Sequence, residues 1–254
     1  MKIITINVNG IRASYKKGLF DYLKNENADI VCLQEVRANE EQLTKDFYLQ
    51  GYHSYYQSAE KKGYSGVAIF SKNKPDSISL SGWNEVDCEG RFLRADFGDL
   101  SVISVYIPSG SSSFERQDFK MKMMLERFLP WFKKIKNDGR KYILCGDINI
   151  VHKRIDIKNF NGNKKRSGCL PEERKYLDNL FDNLGFVDSF REINKDEHQY
   201  TWWSNRGQAW ANNTGWRIDY QILSPNLEGK VKNAEVYKSS RFSDHAPLVI
   251  EYKF

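Results

Sequence analysis

The run Lys141-Tyr142-Ile143-Leu144-Cys145-Gly146-Asp147-Ile148-Asn149 is apolar until it ends abruptly in a glycine, a carboxylate and an amide. A short β-favouring run without polar alternation reads as a strand buried on both faces, and polar groups gathered at the end of such a strand read as a site. Four other stretches repeat the arrangement: Ile3 to Asn7, Ile30 to Glu35, Val102 to Tyr106 and Trp216 to Asp219. Ser243-Asp244-His245 stands just before the last strand-like run. If those ends converge, Asn7, Glu35, Asp147, Asn149, Asp219, Asp244 and His245 form one polar cup, rich in oxygen donors and served by a single histidine. Such a cup suits a hard divalent cation and phosphate chemistry.

The surrounding pattern predicts the fold. Residues 2 to 8 read as a strand, Leu19, Phe20 and Leu23 have helical spacing, and Ala28 to Gln34 reads as a second strand. That βαβ unit places Asn7 and Glu35 at one edge of a parallel pair. From Tyr52 to Ile107 short strand-like runs are separated by turn residues, which favours antiparallel pairing. A long helix is expected over 114 to 136, with Met121, Met124, Leu125, Phe128, Leu129 and Phe132 on its apolar stripe and Pro130 bending it. Residues 152 to 168 read as irregular, and Pro171 followed by Glu172 and Glu173 opens a helix. Strands are expected near Thr201 and over 216 to 223, 231 to 237 and 246 to 252. The expected class is α/β: a four-layered sandwich of two mixed β-sheets packed face to face with helices outside, formed by residues 1 to 254 as one domain.

Composition bounds the function. Hydrophobic residues at 40% and aromatics at 14% of 254 residues can fill a sizeable core. The net charge of +6 tilts towards acidic partners such as nucleic acid. Cys32 and Cys145 fall in predicted buried strands and Cys88 and Cys169 in loops, with no framework spacing, so reduced thiols and a cytoplasmic setting are expected. A strand is expected to start within two residues of the N-terminus, so export by a standard signal is not expected. No apolar run approaches bilayer-spanning length, and the mean hydropathy of -0.65 agrees.

Each candidate carries a bland reading beside a chemical one. Glu35 is either a metal ligand or the structural partner of an arginine such as Arg37. Asp147 and Asn149 stand two apart, so extended backbone would point both the same way, the carboxylate towards a water and the amide towards that water or a phosphate oxygen; the alternative is a turn-forming pair. Asp244 and His245 are adjacent and should diverge, which leaves Asp219 as the best carboxylate to orient His245 and keep it cationic. Asp244 is then available for a metal or a supporting contact. His53, His152 and His198 read as surface groups. Tyr106 either donates to a phosphate oxygen or merely borders the site. Lys153, Arg154, Lys158, Lys164, Lys165 and Arg166, opposed by Asp156 alone, suit a loop that follows a phosphate backbone. Trp202, Trp203, Trp210 and Trp216, interleaved with Arg206 and Arg217, suit a base or sugar pocket flanked by phosphates, with at least two of the four left for the core.

Taken together and in order, eight stretches resemble the exodeoxyribonuclease III group of class II abasic-site endonucleases, within the endonuclease/exonuclease/phosphatase superfamily. They are Asn7 to Arg12, Leu33-Gln34-Glu35, Gly63 to Ala68, Tyr106 to Gly110, Gly146 to Asn149, Gly162 to Lys165, Gly215 to Tyr220 and Ser243-Asp244-His245. The resemblance implies that Glu35 binds Mg²⁺, with Mn²⁺ as a substitute and one or two ions in play. It implies that Asp244, Asn7, Asp147 and Asn149 border the metal, that Asp147 and Asn149 handle the attacking water, that Asp219 holds His245, and that Tyr106 helps hold the phosphate. Trp202, Trp216 and Ile218 match positions lining a pocket for a base-free sugar, while Arg37, Lys164, Lys165, Arg166 and Arg206 are expected at the DNA. The implied activity is incision of duplex DNA 5′ to an abasic site, leaving a 3′-hydroxyl, together with trimming of 3′ ends and 3′ blocks, by a monomer with no membrane partner. A phosphatase of the same superfamily and a non-catalytic DNA-binding protein on the same scaffold are the competing readings. Two departures stand out: Asn9 replaces an acid found in many eukaryotic relatives, and Arg206-Gly207-Gln208 lacks the large apolar side chains that some relatives insert into DNA.

Overall fold

The computed structural model describes residues 1–254. Fourteen strands run β1 (Lys2–Asn7), β2 (Ile30–Gln34), β3 (His53–Gln57), β4 (Val67–Ser71), β5 (Ser77–Ser79), β6 (Phe92–Phe97), β7 (Leu100–Tyr106), β8 (Lys141–Asp147), β9 (Val187–Asp188), β10 (Trp202–Trp203), β11 (Gly215–Trp216), β12 (Asp219–Leu223), β13 (Val231–Val236) and β14 (Leu248–Tyr252). Eight α-helices are α1 (Ile11–Lys16), α2 (Leu19–Glu26), α3 (Asn84–Asp87), α4 (Phe114–Lys122), α5 (Leu129–Ile135), α6 (Phe160–Asn163), α7 (Pro171–Asp178) and α8 (Ser189–Ile193).

Two six-stranded sheets, ordered β13-β14-β1-β2-β4-β3 and β5-β6-β7-β8-β12-β9, pack face to face, and β10 with β11 forms a separate small ladder. Both large sheets are mixed, because β1/β2 and β7/β8 are parallel while their neighbours are antiparallel. The strands alternate between two apolar surroundings: Ile3, Cys32, Ile143 and Cys145 face the interior between the sheets, whereas Ile4 and Leu33 face α2, and Leu144 faces the Met124, Phe128 and Leu177 side. That double burial is why these strands lack polar alternation, and each such side chain contributes about 1.5–3 kcal/mol of burial. Helices therefore cover both outer faces, giving the expected four layers.

The interior between the sheets also carries a polar seam. Gln34 Nε2 donates to Ser104 Oγ (3.0 Å), which donates in turn to Leu33 O (3.0 Å). Gln221 Nε2 donates to Ile3 O (3.1 Å) and Leu248 O (3.2 Å), and Tyr252 Oη donates to Gln221 Oε1 (2.8 Å). All of these bonds are buried and tie one sheet to the other.

Several elements differ from expectation. The helix over 114–136 contains a π-helical stretch, Met123–Phe128, just ahead of Pro130, which accommodates the missing N–H of the proline without ending the helix. The strand expected over 216–223 is two strands separated by Arg217 and Ile218, the first in the small ladder and the second in the large sheet. Gly146 is required by close approach: a Cβ there would lie 1.9 Å from the Val105 carbonyl oxygen on the neighbouring strand. No helix is long and apolar enough to cross a membrane.

Candidate active site

The register brings the polar strand ends together. Parallel pairing aligns Asn7 with Gln34, one residue before Glu35, and Tyr106 with Asp147. Antiparallel pairing sets Asp219, the first residue of β12, opposite Asp147. His245 is placed by an isolated bridge to Trp202 just before β14. The resulting cavity, about 840 Å³, is lined by Asn7, Glu35, Tyr106, Asp147, Asn149, Asp244 and His245, with Asp219 buried behind His245.

At its floor, Asp219 Oδ2 meets His245 Nδ1 at 2.8 Å, and His245 Nε2 lies 3.8 Å from Asp147 Oδ2. Asn7 Nδ2 donates to Asp147 Oδ2 (2.9 Å), tying the second sheet's carboxylate to the first sheet. Asn149 donates to the same carboxylate twice, from its backbone N–H to Oδ1 (2.8 Å) and from Nδ2 to Oδ2 (3.0 Å). Burial works against a charged His245, but Asp219 first and then Asp147 and Asp244 outweigh it and push its pKa up to about 10, so the ring is cationic at neutral pH. Burial, with Asp219 and Glu35 adding repulsion, pushes Asp147 up to about 8 against the opposing pull of His245 and the Asn7 hydrogen bond. A carboxylate titrating near neutrality is a better proton acceptor than an ordinary one.

Asp244 turns away from His245, as expected for adjacent residues. It accepts from Asn9 Nδ2 (2.9 Å), Trp202 Nε1 (3.1 Å) and Ser243 Oγ (3.1 Å). Burial would raise its pKa, yet the His245 cation and these hydrogen bonds hold it below the usual carboxylate range. Glu35 is partnered by an arginine, accepting from Arg37 Nη2 at 3.2 Å, and it also faces the cavity and takes a hydrogen bond from Tyr106 Oη. Burial, Glu35 and Asp147 push the Tyr106 phenol well above its ordinary pKa, so it stays a donor. Four non-glycine residues lining the cavity, Asn9, Glu35, Arg37 and Asn149, have φ of 44°, 52°, 51° and 55°. Left-handed backbone of this kind costs about 1–3 kcal/mol per residue and is retained where side-chain direction matters. Asn149 thus reaches Asp147 through a left-handed turn and not, as expected, through extended backbone.

Trp202 and Trp216 meet edge to face, centroids 5.8 Å apart, and with Ile218 form an apolar wall of the cavity. Arg37, Lys165, Arg166 and Arg206 line its rim, whereas Lys164 is exposed and does not line it. Trp203 is buried and packs on Trp210 at 4.4 Å, so these two belong to the core. Arg217 does not flank phosphates. It is fully buried, with Nε 2.8 Å from Asp156 Oδ1 and Nη2 2.6 Å from Asp188 Oδ2, and it anchors the segment that carries Trp216 and Ile218.

His53 and His198 are exposed as expected, but His152 is buried against Phe181 and bonded to Asp178 (2.9 Å). Asp178 and Asp182 next to it already hold the Lys153 ammonium. Unanticipated was Arg91, buried, with its guanidinium 4.6 Å from the Tyr106 ring and Nη1 donating to Tyr106 O (2.9 Å). No local pattern in the sequence marks that pairing.

The donor set fits a hard cation. The cavity offers carboxylate and amide oxygens and no thiol, its one imidazole is already held by Asp219, and buried Asp219 Oδ1 has no partner. Atoms of Asp147, Asp219 and His245 lie within 4.8 Å of one another.

A model described as the Endonuclease/Exonuclease/phosphatase family matches residues 4–245. An exodeoxyribonuclease of Bacillus subtilis (strain 168) is 40% identical over 251 residues, 98% of each chain. The DNA repair nuclease APEX1 of Danio rerio is 38% identical over 256 residues, covering 98% of this chain and 81% of that protein. Among solved structures, an AP endonuclease from Archaeoglobus fulgidus is similar over the full length of both chains, with a TM-score of 0.89 at 29% identity, and so is a 3′-5′ exonuclease (NExo) from Neisseria meningitidis, with a TM-score of 0.89 at 26% identity. The match spans all of the strand ends that build the cup, and the chain belongs to the Endonuclease/Exonuclease/phosphatase family.

Proposed function

We propose that residues 1–254 act as one monomeric catalytic domain, a divalent-metal-dependent DNA repair nuclease that hydrolyses the phosphodiester 5′ to an abasic site and/or trims 3′ ends and 3′ blocks of duplex DNA. The observation that carries this reading is the buried Asp219–His245–Asp147 series opening onto a cavity with an apolar tryptophan wall and a basic rim. Asp147 draws a proton from water that Asn149 helps hold, and the resulting hydroxide attacks phosphorus as the P–O3′ bond breaks, the departing 3′-oxygen taking a proton from solvent to leave a 3′-hydroxyl. His245, held cationic by Asp219, stabilises the charge that develops on the phosphate oxygens. Tyr106 keeps its proton and donates a hydrogen bond to Glu35 or to a phosphate oxygen. Glu35 and Asp244, with Asn7, Asp147 and Asn149 around them, would hold one or two Mg²⁺ or Mn²⁺ ions, which withdraw charge from the phosphate.

Trp202, Trp216 and Ile218 would receive a sugar that lacks its base, their apolar wall suiting the sugar's carbon skeleton. Arg37, Lys164, Lys165, Arg166 and Arg206 would follow the backbone. Four free cysteines support work in a reducing, cytoplasmic compartment.

A labelled duplex with a central abasic-site analogue, incubated with Mg²⁺ or with EDTA beside an undamaged control, tests this. Internal Mg²⁺-dependent incision of the analogue duplex alone is the expected result. Shortening of both duplexes from their 3′ ends would make the protein chiefly an exonuclease. No cleavage in either condition would overturn the nuclease reading and favour the phosphatase or binding-only alternatives.

A further inference from the structure

One fully buried ion pair lies outside the groups that face the cavity. Lys120 of α4 and Glu173 of α7 are both 0% exposed, with Nζ 2.7 Å from Oε1. Lys120 Nζ also donates to the Asn149 carbonyl at 2.9 Å. Glu173 is saturated: Oε1 accepts from Lys120 and from Gln117 Nε2 (3.0 Å), and Oε2 accepts from the backbone N–H of Gly168 (2.7 Å) and Leu170 (2.9 Å). Gln117 Oε1 accepts from Ser167 Oγ (2.6 Å), which also contacts Ser109 O. Through one carboxylate, the end of β8, the base of the basic loop and the turn after β7 are fixed to one another.

The geometry assigns Lys120 and Glu173 as a positioning pair for the reaction: the buried ammonium holds the Asn149 carbonyl, and with it the left-handed turn that aims two N–H donors at Asp147. The Asn149 carbonyl has one side-chain donor, the fully buried Lys120 ammonium. Asparagine tolerates left-handed backbone better than most residues, and the turn is held more firmly where a second contact fixes it from outside. A helix-to-helix ion pair used for packing alone has no need to reach a third element, and replacing such a pair by apolar groups is often harmless. This pair terminates on the residue adjoining the carboxylate that activates water. The inference rests on the nuclease reading for its kinetic consequence, but its structural consequence is independent of it.

Two variants test the pair. Lys120→Met leaves Glu173 unpaired and can lower folding yield, so Lys120→Met/Glu173→Gln removes both charges while the glutamine oxygen still accepts from Gly168 and Leu170. Backbone hydrogen exchange of the 146–151 segment, measured on folded protein without metal or DNA, should quicken at least ~10-fold in the double variant, with exchange in β1 and β2 unchanged. Single-turnover cleavage of the abasic-analogue duplex should fall ~10- to 100-fold, while the Kd for that duplex in EDTA stays within about twofold. A merely structural pair would instead lower stability everywhere and leave the cleavage rate per folded molecule unchanged. Unchanged exchange over 146–151 overturns the inference whatever the activity. A parent protein that does not cleave, combined with quickened exchange, would sink the nuclease reading and leave the positioning of Asn149 standing.

Discussion

Asp219→Asn probes the buried histidine most directly. In the parent, burial alone would strip the proton from His245, yet its pKa is pushed up to about 10 against an ordinary 6.5, and Asp219 is the largest contributor in that direction. That difference corresponds to ~5 kcal/mol in favour of imidazolium. Asparagine keeps the size and can still accept from Nδ1–H at 2.8 Å, but it removes the charge. If Asp219 supplies most of that difference, ~4 kcal/mol of transition-state stabilisation is lost, a fall of ~10³-fold in rate. The sign with pH follows. The parent cation persists until pH rises through about 10, whereas in the variant the proton leaves near neutrality. The ratio of variant to parent rate should therefore rise as pH is lowered from about 8 to about 6. Removing Asp219 also removes a repulsion that raises Asp147, so the rate ratio is read beside the titration of the imidazole itself. Nitrogen NMR of the imidazole supplies the independent readout: both ring nitrogens protonated in the parent at pH ~8 and one deprotonated in the variant. An imidazolium that survives in Asp219→Asn at that pH, or a rate ratio flat with pH, would refute the assignment of Asp219 as the group that keeps His245 charged.

Asp147→Asn should lower cleavage by ~10³-fold or more with the duplex Kd little changed; loss of binding instead would identify a structural residue. Asp156→Asn takes from the buried guanidinium of Arg217 one of its two carboxylates, 2.8 Å away, leaving Asp188, and should cost ~2–3 kcal/mol in urea unfolding. In the parent, arginine partners outweigh burial and lower Asp156 from 3.8 to about 2, so its contribution of ~2 kcal/mol is present above pH 3.8 and is lost as pH falls through about 2; a urea midpoint unmoved by the substitution would contradict this. Gly146→Ala puts a methyl group 1.9 Å from Val105 O and should lower Tm strongly, by ~3 kcal/mol of stability or more, and a Tm close to the parent's would show that β7 and β8 can part. Replacing both Lys165 and Arg166 by Ala should reduce the slope of log Kd against log salt by about two, and an unchanged slope would remove the basic loop from the DNA path.

The cup was legible because it sits at the ends of apolar strands, where the chemistry interrupts the pattern. Its members needed only a plausible register to meet, and β1/β2 and β7/β8 supply one. Period-two alternation also carried information that a charge-based reading overrides: with Trp216 and Ile218 facing the cavity, Arg217 between them must face the other way, into Asp156 and Asp188. Lys120 likewise occupies the buried stripe shared with Met124 and Phe128 at successive i+4 steps, a position where lysine requires a buried partner. The identity of that partner, 53 residues further on, was not readable. Nor was the left-handed turn at Asn149, which the Asp147 carboxylate two residues back supports from within and the Lys120 ammonium of α4 supports from outside. His152 is hidden by Phe181, a residue brought over it by packing of the α7 region, and nothing local announces that.

The polar seam between the sheets bears on how far this scaffold can be altered. Aliphatic faces in contact have no preferred alignment to better than a fraction of a side chain and can creep past one another when a loop is changed. Directional bonds from Gln34 to Ser104 and from Gln221 to Ile3 and Leu248 act as dowels, penalising a slide of even one ångström. Asn7 and Glu35 are contributed by one slab, and Tyr106, Asp147 and Asp219 by the other. The dowels therefore calibrate the spacing between two half-sites that no single element spans. Loops around the rim can be exchanged to change what is bound, while the distance between the halves stays set from below.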